Sequence, residues 1–377
     1  MANKTLKDEE EIRDFVRGCA FFGTGGGGDP RDGLEQLIKQ FEAGKEIKWA
    51  DISGIPGDTM TVCAYGMGSI APQTPEQTAE MKKLGLAEEK IEDKLAAAIE
   101  ELEKYTGEKV GAIVPVEIGG ANTPAPVATG AGLGLSVVDG DYSGGRAIPE
   151  LVQTTPHLNG HTMVPLASVD QWGDVCVLKD AANNQVAEKM GKLISILAYG
   201  RLAGNATYLM RAEEMKSIIV PNTLTRALEV GRAIRKAREA GKDPVDAIVG
   251  YTDGWVLFTG KVIKKDDEDR EGYYWGTVTL RGLGEYAKNN FKWWFKNENH
   301  ISWFDGKPLV TSPDIISVVD PETGEPITNP RVAAGDDVAV IGVRGSGAFR
   351  TGAGLGVLGP KHFGFDIEYN PIEKMMI

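Results

Sequence analysis

Apolar residues near the start of the chain recur at helical spacing. Leu6, Ile12, Phe15 and Val16 share one stripe behind the acidic run Asp8-Glu9-Glu10-Glu11. The pattern predicts a short helix over 6–17 with acids in its first turn, at the positive end of the helix dipole. A second helix is predicted from Asp29-Pro30, because Asp is a preferred N-cap and Pro suits the first helical position; Gly44 ends it. Continuous apolar runs at Met60–Tyr65 ("MTVCAY") and "VGAIVPVEIGG" read as buried strands. A loop, "GMGSIAPQTPEQT", and an amphipathic helix over 86–105 closed by Gly107 lie between them. "GLGLSVVDGD", "HTMVPLASV" and "DVCVLKD" supply further strands. Strands alternating with helices, with carboxylates at strand C-terminal ends, predict an α/β domain over 1–172 with a mostly buried sheet.

Beyond that point the pattern changes. A helix is predicted from about Ala181 through "NNQVAEKMGKLISILAYGRLA", and another after Pro221 capped by Asn222 or Thr223. Two alternating runs around "DDEDREG" predict a hairpin, and "GDDVAVIGV" one more strand. Residues 173–377 therefore read as two helices followed by a β-rich, barrel- or sandwich-like module. The whole is a multi-domain α+β protein with an α/β N-terminal part. The aromatic stretch "NNFKWWFKNENHISWF" fits a core or a contact between copies of the chain, so a homo-oligomer is expected.

The 377 residues carry a net charge of −13, which argues against nucleic acid as a partner. No window approaches 18 consecutive apolar residues, so no membrane span is expected. Cys19, Cys63 and Cys176 are isolated and set among apolar neighbours. They read as buried small hydrophobes in a reducing, cytoplasmic environment.

Four stretches carry candidate chemistry. "FGTGGGGDPR" matches G-x-G-x-x-G at Gly23, Gly25 and Gly28, but no full strand precedes it and no Lys-Ser/Thr follows. What remains is a glycine loop feeding a helix N-terminus. The main-chain N–H groups of Gly25, Gly26, Gly27 and Gly28 can hold an anion or an oxyanion there, or the run is a tight turn against another backbone. Asp29 is a helix cap or a site carboxylate. In "VEIGGANTPAPVATG", Glu117 ends an apolar strand, with Asn122 and Thr123 beyond it. "VVDGDYSGGRAIPE" gathers Asp139, Asp141, Arg146 and Glu150. Arg146 can clamp a ligand carboxylate, and the two aspartates can act as base or metal ligand, or the segment is a turn held by its own side chains. His157 and His161 stand four apart, a zinc spacing on a helix, but Pro156, Asn159 and Gly160 disfavour a helix. The fourth is the glycine-rich "GSGAFRTGAGLGVLGPKHFGF", which either closes over a site or joins strands.

The ordered motifs "GTGGGGDP", "VEIGGANT", "VDGDYSGGRAIPEL", "PDIISVVDPETGEPI" and "GLGVLGPKHFGFD" resemble the family named after S-methyl thiohydantoin desulfurase, over nearly the whole chain. The resemblance implies an N-terminal α/β domain and a β-rich C-terminal one. It implies a hydrolase or desulfurase of a hydantoin-type ring, or a non-catalytic partner of an ATP-dependent hydantoinase or oxoprolinase. One departure is the "DYSGG" spacer before Arg146, longer than the family's short Asp-x-x-Gly-Arg form. Ring hydrolysis needs activated water and donors for developing charge. Asp29, Glu117, Asp139 and Asp141, with or without a zinc ion, are the candidates for the first task. Gly25–Gly28 and Asn122 are the candidates for the second, with Arg146 and Glu150 contacting substrate.

Overall fold

A computed structural model describes residues 4–86, 88–198 and 202–376. The first helix, Glu9–Phe22, begins where Asp8 accepts the Glu11 N–H and runs directly into the glycine loop. The second, Pro30–Glu42, starts at Asp29, whose carboxylate accepts the Arg31 N–H. Between Met67 and Lys94 the expected loop contains a helix, Pro75–Lys83, set by a Thr74/Gln77 capping box. The helix expected over 86–105 starts later, as Lys94–Thr106; Ala87 lies outside the described residues.

Six strands form the N-terminal sheet in the order Ser136–Val137, Ala112–Pro115, Met60–Met67, Ala203–Arg211, Leu166–Val169, Val175–Leu178. The first three are mutually parallel and the others antiparallel, so the sheet is mixed. Its central strand, Ala203–Arg211, comes from beyond residue 172. The helix expected from Ala181 is Asn184–Leu197, and Tyr199–Arg201 of that stretch lie outside the described residues. Cys19 and Cys63 are buried as expected, but Cys176 is exposed, because Val175–Leu178 is an edge strand whose first two residues are both open to solvent.

The C-terminal domain is a seven-stranded antiparallel sheet bent as a half-barrel. Its order is Lys307–Thr311, Glu298–Phe304, Asn290–Lys296, Tyr273–Gly282, Trp255–Arg270, Asp337–Val343, Ile315–Val319. The predicted hairpin is present, with its turn at Glu271-Gly272 and the acidic run inside the strand. The aromatic stretch forms two paired strands whose Phe291, Trp293 and Phe295 are core residues.

Helix Glu9–Phe22 joins the two halves. It packs across helix Thr223–Glu239 with glycines at the crossing: a Cβ on Gly18 would strike the Ala227 carbonyl, and one on Gly231 the Asp14 carbonyl. Only glycine permits this approach. On its other side Phe21 O accepts the Ser317 hydroxyl of the C-terminal sheet at 2.6 Å. The glycine loop is thereby held at the seam between the two sheets.

Candidate functional site

The seam opens into a cavity of about 920 Å³. Gly25–Gly28 and Asp29 form one wall, Glu117 and Asn122 a second, Glu150 and Leu151 a third. Glu188, Lys192, Tyr65 and Glu298 complete it. Of the residues singled out in the sequence, the glycines, Asp29, Glu117, Asn122 and Glu150 share this space.

Glu117 is 3% exposed and held by two donors: Ile148 N–H to Oε2 and Asn122 Nδ2–H to Oε1, each at 2.9 Å. Asn122 is fixed in turn by Gly66, accepting its N–H at 2.7 Å and donating to its carbonyl at 3.1 Å. Burial pushes the Glu117 carboxyl up to about 7 despite these donors, with Asp141 nearby adding to the rise. Glu298 is 2% exposed. Its Oε1 accepts the Gly27 N–H at 3.1 Å, and its Oε2 has no hydrogen-bond partner among the described residues. Burial, then the neighbouring Glu117, raises it well above the usual carboxylate range. The glycine run therefore seats a protein carboxyl. A Cβ on Gly26 would fall on Glu298 Oε1, and one on Gly27 on the backbone of Gly119.

Glu188 and Lys192 come from one face of helix Asn184–Leu197. Glu188 accepts from Leu151 N–H at 2.8 Å and from the Tyr273 hydroxyl at 3.3 Å, and burial lifts it to about 7. Glu150 pairs with Lys296 and with His362 Nε2, the latter at 2.6 Å. Burial alone would raise it, but these two partners pull it down to about 2. His362 brings the C-terminal glycine-rich segment onto this edge of the site.

The remaining sequence candidates do not reach the cavity wall. The N-cap position of helix Thr223–Glu239 is Asn222, one of the two expected, but its side chain makes no capping hydrogen bond; Asp139 supplies the acceptor instead, taking Leu224 N–H and Thr225 N–H at 3.1 Å. Asp141 accepts Ser143 N–H at 2.6 Å and Gly145 N–H at 2.9 Å, which folds the "DYSGG" spacer into a turn. Arg146, 1% exposed, donates to the carbonyls of Ala147, Pro313, Asp314 and Asn299 and to the Thr24 hydroxyl. Asp29, unlike these, does line the cavity, at its rim, where Arg31 and Arg331 engage it. His157 lies in the four-residue helix Thr155–Leu158 and meets Asn184, whereas His161 faces Glu214. Among the described residues, no three His, Cys, Asp or Glu side chains are grouped to hold a metal ion.

Sequence reasoning missed Glu188, Lys192, Lys296, Glu298 and Tyr65. One signal was available. Lys296-Asn297-Glu298-Asn299-His300 is an unbroken polar run between two aromatic strands, and all five residues are buried.

Family models described as S-Me-THD-like match residues 10–180 with the N-terminal domain and 182–372 with the C-terminal domain. The chain belongs to the S-Me-THD-like family. The family name ties it to S-methyl thiohydantoin, and both S-Me-THD-like domains contribute walls to the cavity. No curated protein matches the chain. A structural-genomics crystal structure of a protein from Chromobacterium violaceum shares the fold, with a TM-score of 0.76 at 22% identity. The match covers 99% of this chain and 100% of that one. No described helix is long and apolar enough to cross a membrane.

The raised carboxyls make a stability prediction. A carboxyl whose folded pKa lies above its ordinary 4.5 stabilises the fold fully below pH 4.5 and loses that contribution as pH rises through about 7. Glu150 has the opposite sign: its contribution is present above pH 4.5 and lost as pH falls towards 2. The melting temperature is expected to peak near pH 4.5–5 and decline to pH 8. Glu188→Gln should flatten that decline, and an unchanged slope in scanning calorimetry would contradict it.

Proposed function

We propose that the protein hydrolyses a hydantoin-type ring at the carbon between its two nitrogens, releasing methanethiol from S-methyl thiohydantoin. The observation that carries this reading is the Glu117–Glu298 pair on one cavity, two buried carboxyls with different environments. Such pairs divide acid and base roles. Glu298, held well above the usual carboxylate range by burial and with Oε2 open, is the acid: that oxygen delivers a proton to the ring nitrogen. Glu117, oriented by Asn122, is the base: it takes a proton from water as the water oxygen bonds to carbon. The carbon–sulfur bond then breaks, the thiolate recovers the proton from Glu117, and the carbinol proton returns to Glu298. The product is hydantoin plus methanethiol, and both carboxyls end as they began.

The test is release of thiol from S-methyl thiohydantoin by the purified chain, followed with a thiol-reactive chromophore, with metal content measured alongside. Stoichiometric methanethiol and hydantoin are expected. No thiol release under any metal supplementation would reject the reading.

A second reading, a non-catalytic partner of a hydantoinase or oxoprolinase, is favoured by one observation. Helix Asn184–Leu197 turns Val186, Met190, Leu193, Ile196 and Leu197 to solvent, Leu197 at 75% exposure, while burying Glu188 and Lys192. An exposed apolar stripe of this kind fits contact with another chain, including a second copy. This reading predicts no release by the chain alone in the same assay.

A further inference from the structure

We infer that Lys192 and Tyr65 form an oxygen-binding subsite that holds the ring carbonyl of the ligand, an inference that rests on the reading of a hydantoin-type substrate. Lys192 is 7% exposed and lies on the cavity wall. Its ammonium carries three donors, and among the described residues its hydrogen bond is a long one, 3.4 Å to the Gly68 carbonyl. The Tyr273 ring lies 4.2 Å from the ammonium and meets it with its π face, a contact that leaves the N–H groups without a lone-pair acceptor there. The other buried lysine of the cluster differs, because Lys296 is paired with Glu150. A buried ammonium with so few acceptors is costly, and a ligand oxygen would relieve that cost.

Tyr65 supplies the second donor. It is 2% exposed, lies on the same wall, and its hydroxyl has no partner among the described residues. Strand Met60–Met67 places Tyr65 and Met67 on one face. That face is the one covered by helix Asn184–Leu197, where a Cβ on Gly191 would stand 3.3 Å from the Met67 sulfur. Lys192 follows Gly191, so both donors belong to the same strand–helix seam. Glu188, one turn before Lys192, is close enough to influence the ionisation of both. Two unused donors at one seam match a carbonyl oxygen, which has two lone pairs. A hydantoin-type ring carries such an oxygen on the carbon adjoining its ring nitrogen, away from the carbon to which the water activated by Glu117 adds.

The experiment compares S-methyl thiohydantoin with 2-methylthio-2-imidazoline, which keeps the carbon–sulfur centre and lacks the carbonyl. Wild type is expected to favour the oxo ring in kcat/KM. Lys192→Met and Tyr65→Phe should each lower kcat/KM for the oxo ring by about 10- to 100-fold. Both should leave the imidazoline within about 3-fold, so that the preference collapses. Equal losses on both rings, or an undiminished preference in both variants, would overturn the subsite while leaving the hydrolase reading intact. Failure of wild type to release thiol from either ring would overturn the hydrolase reading and the subsite with it. Tyr65→Phe removes only an unpartnered hydroxyl, so it keeps the test open if Lys192→Met folds poorly.

Discussion

Glu298→Gln is expected to cut methanethiol release by about 10²- to 10⁴-fold while the protein stays folded. Glutamine keeps the shape of the side chain and an oxygen for the Gly27 N–H, but cannot deliver a proton from the position of Oε2. Its loss should appear in kcat rather than in KM, because the proton moves in the transition state. Gly26→Ala should reach the same outcome by another route. The added methyl would occupy the space of Glu298 Oε1 and displace the carboxyl. Gly356→Ala, where nothing lies within 4 Å, is the matched control and should keep activity. A Glu298→Gln rate within about 3-fold of wild type would remove Glu298 from the acid role.

Arg146→Ala is expected to destabilise the fold by about 3–5 kcal/mol, read as a lowered denaturation midpoint. The guanidinium ties the Ala147 turn to main-chain carbonyls of Asn299, Pro313 and Asp314 in the other domain. Removing it leaves several buried acceptors without donors. Arg146→Lys should recover little, because an ammonium cannot reproduce the planar fork of donors. A residue whose task was to clamp a ligand carboxylate would behave differently: stability would hold and KM would rise. That outcome would return Arg146 to the substrate.

The sequence motifs divide according to what local chemistry can reveal. Asp29-Pro30 gives its helix start unaided, because an N-cap acts on residues two or three positions away. The strands at Met60–Met67 and Ala112–Pro115 are legible because buried parallel strands are apolar on both faces. Asp139 and Asp141 look alike in sequence, two carboxylates beside a glycine, yet one caps a helix more than eighty residues away and the other folds its own turn. Asp141 acts on residues two and four positions on, whereas nothing near Asp139 encodes its distant partner. Helix Asn184–Leu197 shows the same limit: nothing local in Glu188 and Lys192 marks their face as the buried one, and only the structure packed beneath them turns it inward.

The sequence by itself determined the family, the two-part α/β and β-rich construction, the starts of a few helices, and the fact that a glycine loop feeds a helix near strand ends bearing carboxylates. These follow from periodicity, capping and turn chemistry, which act over a few residues. The tertiary structure alone decided which groups meet. It took Gly26 and Gly27 from the start of the chain, Glu117 from a strand end, Glu188 and Lys192 from a helix, and Glu298 from an aromatic hairpin, and enclosed them in one cavity. Burial in that cavity is what lifts the carboxyls towards neutral pH. Desolvation depends on everything packed around a group, and so belongs to the fold rather than to any segment of it.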